Sequence, residues 1–188
     1  MNPATLARRA TSLAAASLPL LAALACLAPT ARAARVDDDA PLITTQKLRW
    51  QTAQALAAEA VRVCAADGYS VTATVVDPSG HAQAVVKGDT VPLQSLSVSY
   101  RKAYTAFSYG MTFNLDTTSQ LIAAKVTGPL DGAVLATEPE VLFIPGGVTL
   151  RRADRGVIGG IGVSGAPGGD KDEACAQAAV AKYQDRFR

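Results

Sequence analysis

The sequence predicts a single α+β domain, with a five-stranded antiparallel sheet and helices flanking it at both chain ends. Three observations carry that expectation. Apolar spacing switches between periods of 3.6 and 2 in the order helix, two strands, two helices, three strands, helix. The last strand runs are separated by turn-type segments too short for parallel crossovers. No internal repeat or linker divides the chain, and 188 residues suffice for one domain and little more.

Residues 1–33 stand apart from that domain. Arg8 and Arg9 precede an apolar run from Leu13 to Leu27, and Ala31-Arg32-Ala33 follows, the order of a secretory signal peptide cleaved after Ala33. The run is shorter than the roughly 20 apolar residues of a spanning helix and Pro19 interrupts it, which argues against a permanent membrane anchor. Lipid attachment at Cys26 is disfavoured because Ala23 stands where a leucine is usual. Residues 34–43 then form a short polar tail, and 44–188 the working domain, expected in the periplasm or outside the cell.

Within the domain, an amphipathic stretch begins near Thr44 or Thr45. Ala53, Leu56, Ala57, Ala60, Val63 and Cys64 share one helical stripe, and Gly68 is the stop. Ser70 to Val76 and His81 to Lys87 read as a hairpin around Asp77-Pro78-Ser79-Gly80. From Ser95 the helical period returns, with Leu96, Tyr100, Ala103, Tyr104 and Phe107 on one face and Gly110 at the end. Thr117 and Gln120 resemble a capping box opening a shorter helix to Val126, after which Gly128, Pro129, Gly132 and Pro139 mark an irregular loop. Val141 to Ile144, Val148 to Arg152 and Val157 to Val163 read as three strands of a meander. The loop Ser164 to Gly169 leads into an Ala-rich helix from about Lys171 to Tyr183, with Asp170 as N-cap and Glu173 as its capping partner.

Charge and cysteine content narrow the function classes. The whole chain carries 18 Lys+Arg and 16 Asp+Glu, a formal +2; removing residues 1–33 takes away Arg8, Arg9 and Arg32 and no acid, leaving −1. Such a weak balance cannot supply the basic stripe that nucleic-acid binding needs. A single histidine excludes multi-His metal sites within one chain. The 49% hydrophobic content excludes disorder. Cleavage also removes Cys26 and leaves Cys64 and Cys175 as an even pair. If the first and last helices lie side by side on their alanine stripes, the two sulfurs can meet; two separate buried thiols are the alternative.

The sequence holds no Gly-x-Ser-x-Gly elbow, Walker loop, dinucleotide fingerprint or Cys-x-x-Cys pair. Four places are left as candidates. His81, the one imidazole, follows the hairpin turn. Arg101, Lys102, Tyr104 and Thr105 combine cations and hydroxyls on the second helix, suited to a carboxylate or simply to a solvated flank. Gly146 and Gly147 permit close backbone approach or a tight turn. Ser164 and Gly165 reach a helix N-terminus, where exposed amides attract anions.

Val75-Val76-Asp77-Pro78-Ser79-Gly80-His81, Lys102-Ala103-Tyr104-Thr105-Ala106, Ile144-Pro145-Gly146-Gly147-Val148, and Ile158 to Gly165 with Asp172-Glu173-Ala174-Cys175 occur in that order. Together they resemble the GlcG/HbpS family of haem-binding or haem-degrading-type domains. The resemblance implies a profilin-like fold, assembly into homo-oligomers, and binding of haem or a related tetrapyrrole, with redox sensing in some secreted members. It implies His81 as axial ligand, with Tyr104, Tyr109 or Met111 as substitutes, and Arg101 and Lys102 facing the propionates. An enzyme acting on a small organic acid is the alternative, with Lys102 as base, Tyr104 as acid and the Ser164-Gly165 amides holding a carboxylate. An oligomeric partner-binding protein without a ligand is the third.

Overall fold

A computed structural model describes residues 41–135 and 137–187. Residues 1–40, which hold the expected export segment, Cys26 and most of the expected polar tail, lie outside the described residues. Among those described, no helix is long and apolar enough to cross a membrane.

The elements run α1 (Trp50–Ala66), β1 (Thr72–Val76), β2 (Ala82–Lys87), α2 (Ser95–Phe113), α3 (Thr118–Ala123), α4 (Pro129–Leu135), β3 (Gly147–Arg151), β4 (Val157–Ser164) and α5 (Gly169–Tyr183), closed by a 3-10 turn, Gln184–Arg186. The sheet is antiparallel in the order β2-β1-β4-β3, with α1 and α5 packed on one face and α2 on the other. Thr72 pairs with Ser164 and Gly147 with Gly162, so the first and last strands of the sequence are neighbours at its centre.

The α+β class and the flanking helices stand, but the sheet has four strands rather than five. Val141 to Ile144 forms none. Its backbone is bound instead by α2: Arg101 Nη2 donates to the Val141 carbonyl at 2.8 Å, and the Leu142 amide donates to Thr105 Oγ1 at 2.7 Å. Groups satisfied by side chains leave nothing for a ladder. The expected loop after Gly128 contains a helix, α4, because Pro129 is set for a first helical turn and the Gly132 amide reaches the Gly128 carbonyl at 2.9 Å.

The two faces of β1 explain the core. Ala73 and Val75 join Leu56, Ala57, Ala60, Ile161 and Val163 in the apolar layer beneath α1 and α5. Thr72 and Thr74 face α2, where their hydroxyls meet those of Ser95 at 2.7 Å and Ser99 at 2.8 Å. Of the expected α2 face, Leu96, Tyr100, Ala103, Tyr104 and Phe107, the helix buries Ala103 and Phe107, while Leu96 is half exposed and the buried face is shifted to include Ser95, Ser99, Lys102 and Ala106. The sheet dictates this choice. A Cβ at Gly160 or Gly162 of β4 would run into the Ala103 and Ser99 carbonyls, so only a helix face of small residues can sit that close. Nor does Gly110 end α2; the helix runs on to Phe113 and is closed by Asn114 in the left-handed region.

The Cys64–Cys175 disulfide is formed, with Cα atoms 5.5 Å apart, and joins α1 to α5 within the core.

Candidate functional site

The sequence candidates separate into three places. The first is a closed polar cluster where α5 begins. Lys102 is 2% exposed, and its Nζ donates to Asp172 Oδ2 at 2.7 Å and to the Val163 carbonyl at 3.1 Å. The other Asp172 oxygen accepts the Ala166 amide at 2.9 Å. Burial pushes the Asp172 carboxyl above its ordinary value, against the pull of Lys102 and of the Ala166 and Gly165 amides. Beside it, Glu173 Oε2 accepts from Thr118 Oγ1 at 3.0 Å and from the Ser119 and Gly146 amides, each at 3.1 Å. Gly147 donates to the same Thr118 hydroxyl at 3.0 Å.

The loop amides do hold a carboxylate, and it is the protein's own. The expected capping pair of Asp170 and Glu173 is not formed: Gly168 is the N-cap, Asp170 is exposed, and Glu173 turns inward to bind α3 and the start of β3. Ser164, buried in β4, and Gly165, whose added Cβ would meet the Ser70 carbonyl, complete a packed wall rather than a pocket. Gly146 has a positive φ of 128°, and a Cβ there would lie 2.7 Å from Lys102 Nζ, so both backbone and space call for glycine. Lys102 Nζ is buried, with Asp172 and the Val163 carbonyl as its hydrogen-bond partners.

The second place is the hairpin. Asp77 Oδ1 accepts the Ser79 amide at 2.9 Å, Gly80 has a φ of 78°, and a Cβ there would fall 2.8 Å from the Tyr104 ring. Tyr100 donates its hydroxyl to the Gly80 carbonyl at 3.1 Å. His81, next in sequence, is exposed. Tyr104 thus packs against the turn that carries His81, and neither lies with the Lys102 cluster.

The third place was not anticipated. Two adjoining cavities of about 400 Å³ each share Thr127 and Phe143. Leu121, Ile122, Lys125 and Pro129 line one; Arg101, Leu135, Val141 and Leu142 line the other. They form an apolar cleft among α2, α3, α4 and the 141–144 segment, with a cation on each side. Tyr109 backs it, meeting the Phe143 ring edge-on at 4.9 Å between centroids. Burial, reinforced by Glu138 and Tyr104, holds the Tyr109 phenol above its ordinary pKa. Of the sequence candidates, only Arg101 lines this cleft, and Thr105 anchors its wall through Leu142. Phe143 was legible as an apolar residue and read as part of a strand, so its exposed side was missed.

Among the described residues no cluster of three or more His, Cys, Asp or Glu side chains could hold a metal. No curated protein matches the chain significantly. Solved structures do. Crystalline HbpS is 32% identical over 76% of this chain and 94% of its own, with a TM-score of 0.66. A double Glu-to-Asp variant of Streptomyces reticuli HbpS is 33% identical over 80% and 97%, also at 0.66. The PduOC:heme complex is 25% identical over 72% and 94%, at 0.60. The family model described as haem degrading protein HbpS-like matches residues 48–181, from the approach to α1 almost to the end of α5. The chain belongs to the HbpS-like family.

Proposed function

We propose that this protein binds haem or a related tetrapyrrole in the cleft around Phe143. The observation that carries the reading is the cleft itself: an apolar slot with Arg101 and Lys125 at its sides, in a family with a haem-bound structural relative. Phe143, Leu121 and Leu142 would enclose the macrocycle, and the two cations would receive its propionates. The fit is to the slot and the carboxylates. Its lining includes no imidazole, so enclosure rather than an axial bond from His81 supplies the affinity in this reading.

Export by residues 1–33, to the periplasm or beyond, belongs to the same proposal, supported by the disulfide, which persists in oxidising compartments. So does assembly with further copies, supported by exposed Ile122, Val134 and Ile144 beside the cleft. Redox sensing, which the resemblance implies for some secreted members, would depend on the bound haem iron.

Hemin titration followed by the Soret band tests the proposal. Phe143→Ser is expected to weaken binding about tenfold and Lys125→Gln several-fold, with His81→Ala close to the parent. No Soret shift at micromolar protein overturns haem binding. A shift lost in His81→Ala and kept in Phe143→Ser moves the site to the hairpin.

A further inference from the structure

On the sheet face opposite α2, where α1 begins, a second cavity of about 210 Å³ has a lining of different chemistry. Lys47, Arg49, Arg152 and Arg186 surround it, no acid among the described residues lines it, and Leu48, Ile158 and Phe187 form its buried floor. Two of the cations are balanced elsewhere. Lys47 pairs with Asp77 at 3.0 Å, and Arg152 with Asp154 while also reaching Gln46. Arg49 and Arg186 enter no ion pair among the described residues; Arg186 lies over the Tyr183 ring, 5.0 Å from its centroid. The Nε of Arg152 is fully buried and has no hydrogen-bond partner there.

Two exposed arginines with no ion-pair partner among the described residues, at the rim of a cavity that Arg152 also lines, define the complementary ligand. It carries two negative charges and several acceptor oxygens set apart in space, as a phosphoryl group does, because guanidinium forks bind such oxygens pairwise. The volume is below the roughly 300–1,000 Å³ of ordinary ligand pockets, which limits the ligand to a small one. We propose that this cavity is an anion site for inorganic phosphate or a small phosphate monoester, separate from the Phe143 cleft.

Calorimetric titration of the protein with inorganic phosphate at pH 8 and constant ionic strength tests it. Saturable one-to-one binding is expected. Arg49→Gln and Arg186→Gln should each weaken it at least fivefold, and Arg49→Lys should weaken it less than Arg49→Gln. Arg62→Gln, an exposed position elsewhere on α1, should leave it unchanged. Glycerol phosphate competing with phosphate would identify a monoester as an acceptable occupant; phosphate binding alone would restrict the site to the free ion. Succinate binding as tightly as phosphate, or a phosphate response no larger than that to chloride, overturns the proposal. Hemin affinity should be the same in all these variants, so failure here and failure of the cleft reading are distinguishable.

Discussion

Reducing the Cys64–Cys175 bond offers a quantitative test of how α1 and α5 hold the fold. The two cysteines are 111 residues apart. In the chain-entropy model, releasing a loop of that length restores about 16 cal/mol/K to the unfolded chain, or about 4.8 kcal/mol at 25 °C. A domain of this size has only about 5–15 kcal/mol in total, so the cross-link is a large share of it. The assay is equilibrium urea unfolding by far-UV circular dichroism, comparing oxidised protein with protein reduced while unfolded and then refolded under reductant. Both sulfurs stay in place, so no cavity confuses the comparison. With a slope of about 2 kcal/mol/M, the midpoint should fall by roughly 2.4 M. The slope should also rise, because an unlinked unfolded chain exposes more surface. A loss below about 1 kcal/mol at unchanged slope would refute the argument that the bond acts through the unfolded chain.

Further expectations follow from the buried network and the helix–sheet contact. Lys102→Met strands the Asp172 carboxylate and should cost about 3–5 kcal/mol in urea unfolding, whereas Lys102→Met with Asp172→Leu should recover most of that. Gly162→Ala places a Cβ against the Ser99 carbonyl and should cost about 1–3 kcal/mol, read as a lowered thermal midpoint. Hydrogen bonds from Arg62 and then Lys182 hold the Glu59 carboxyl near pKa 2, below its ordinary 4.5. A lowered carboxyl pKa contributes stability that is present above 4.5 and lost as pH falls toward 2, so Glu59→Gln should flatten the acid side of the stability profile. N-terminal sequencing of exported protein should begin at Ala34.

Much of the fold was legible because it rests on local pattern. The alanine stripe of α1, the Asp77 to Gly80 turn and the apolar run of β4 each announce their element within a few residues. What escaped was set by partners distant in sequence. Val141 to Ile144 has strand composition, but Arg101 and Thr105, some forty residues earlier, bind its backbone. Asp172 and Glu173 look like helix-start acids until α5 meets Lys102 and Gly146. A signal was present there: Asp172 lies on the same helical stripe as Cys175, Ala176 and Ala179, all buried, and an acid on a buried stripe requires a partner. Lys102 shares a stripe with Ser95, Ser99 and Ala106 in the same way. The cleft arises from three short segments between α2 and β3, and no spacing within any one of them describes it.

The pairing of β1 with β4 also sets the order in which the molecule can be built. Thr72 has Ser164 as its ladder partner, and Cys64 has Cys175. During synthesis, the first hairpin and α2 therefore emerge with both the middle of their sheet and the far side of their core still unmade. No half of the chain can close on itself. Folding waits for nearly the last residues, then proceeds by long-range closure, which is slow and leaves strand edges open meanwhile. A chain with this wiring has a long interval in which it remains threadable, and a correspondingly strong need to be kept from pairing with its neighbours.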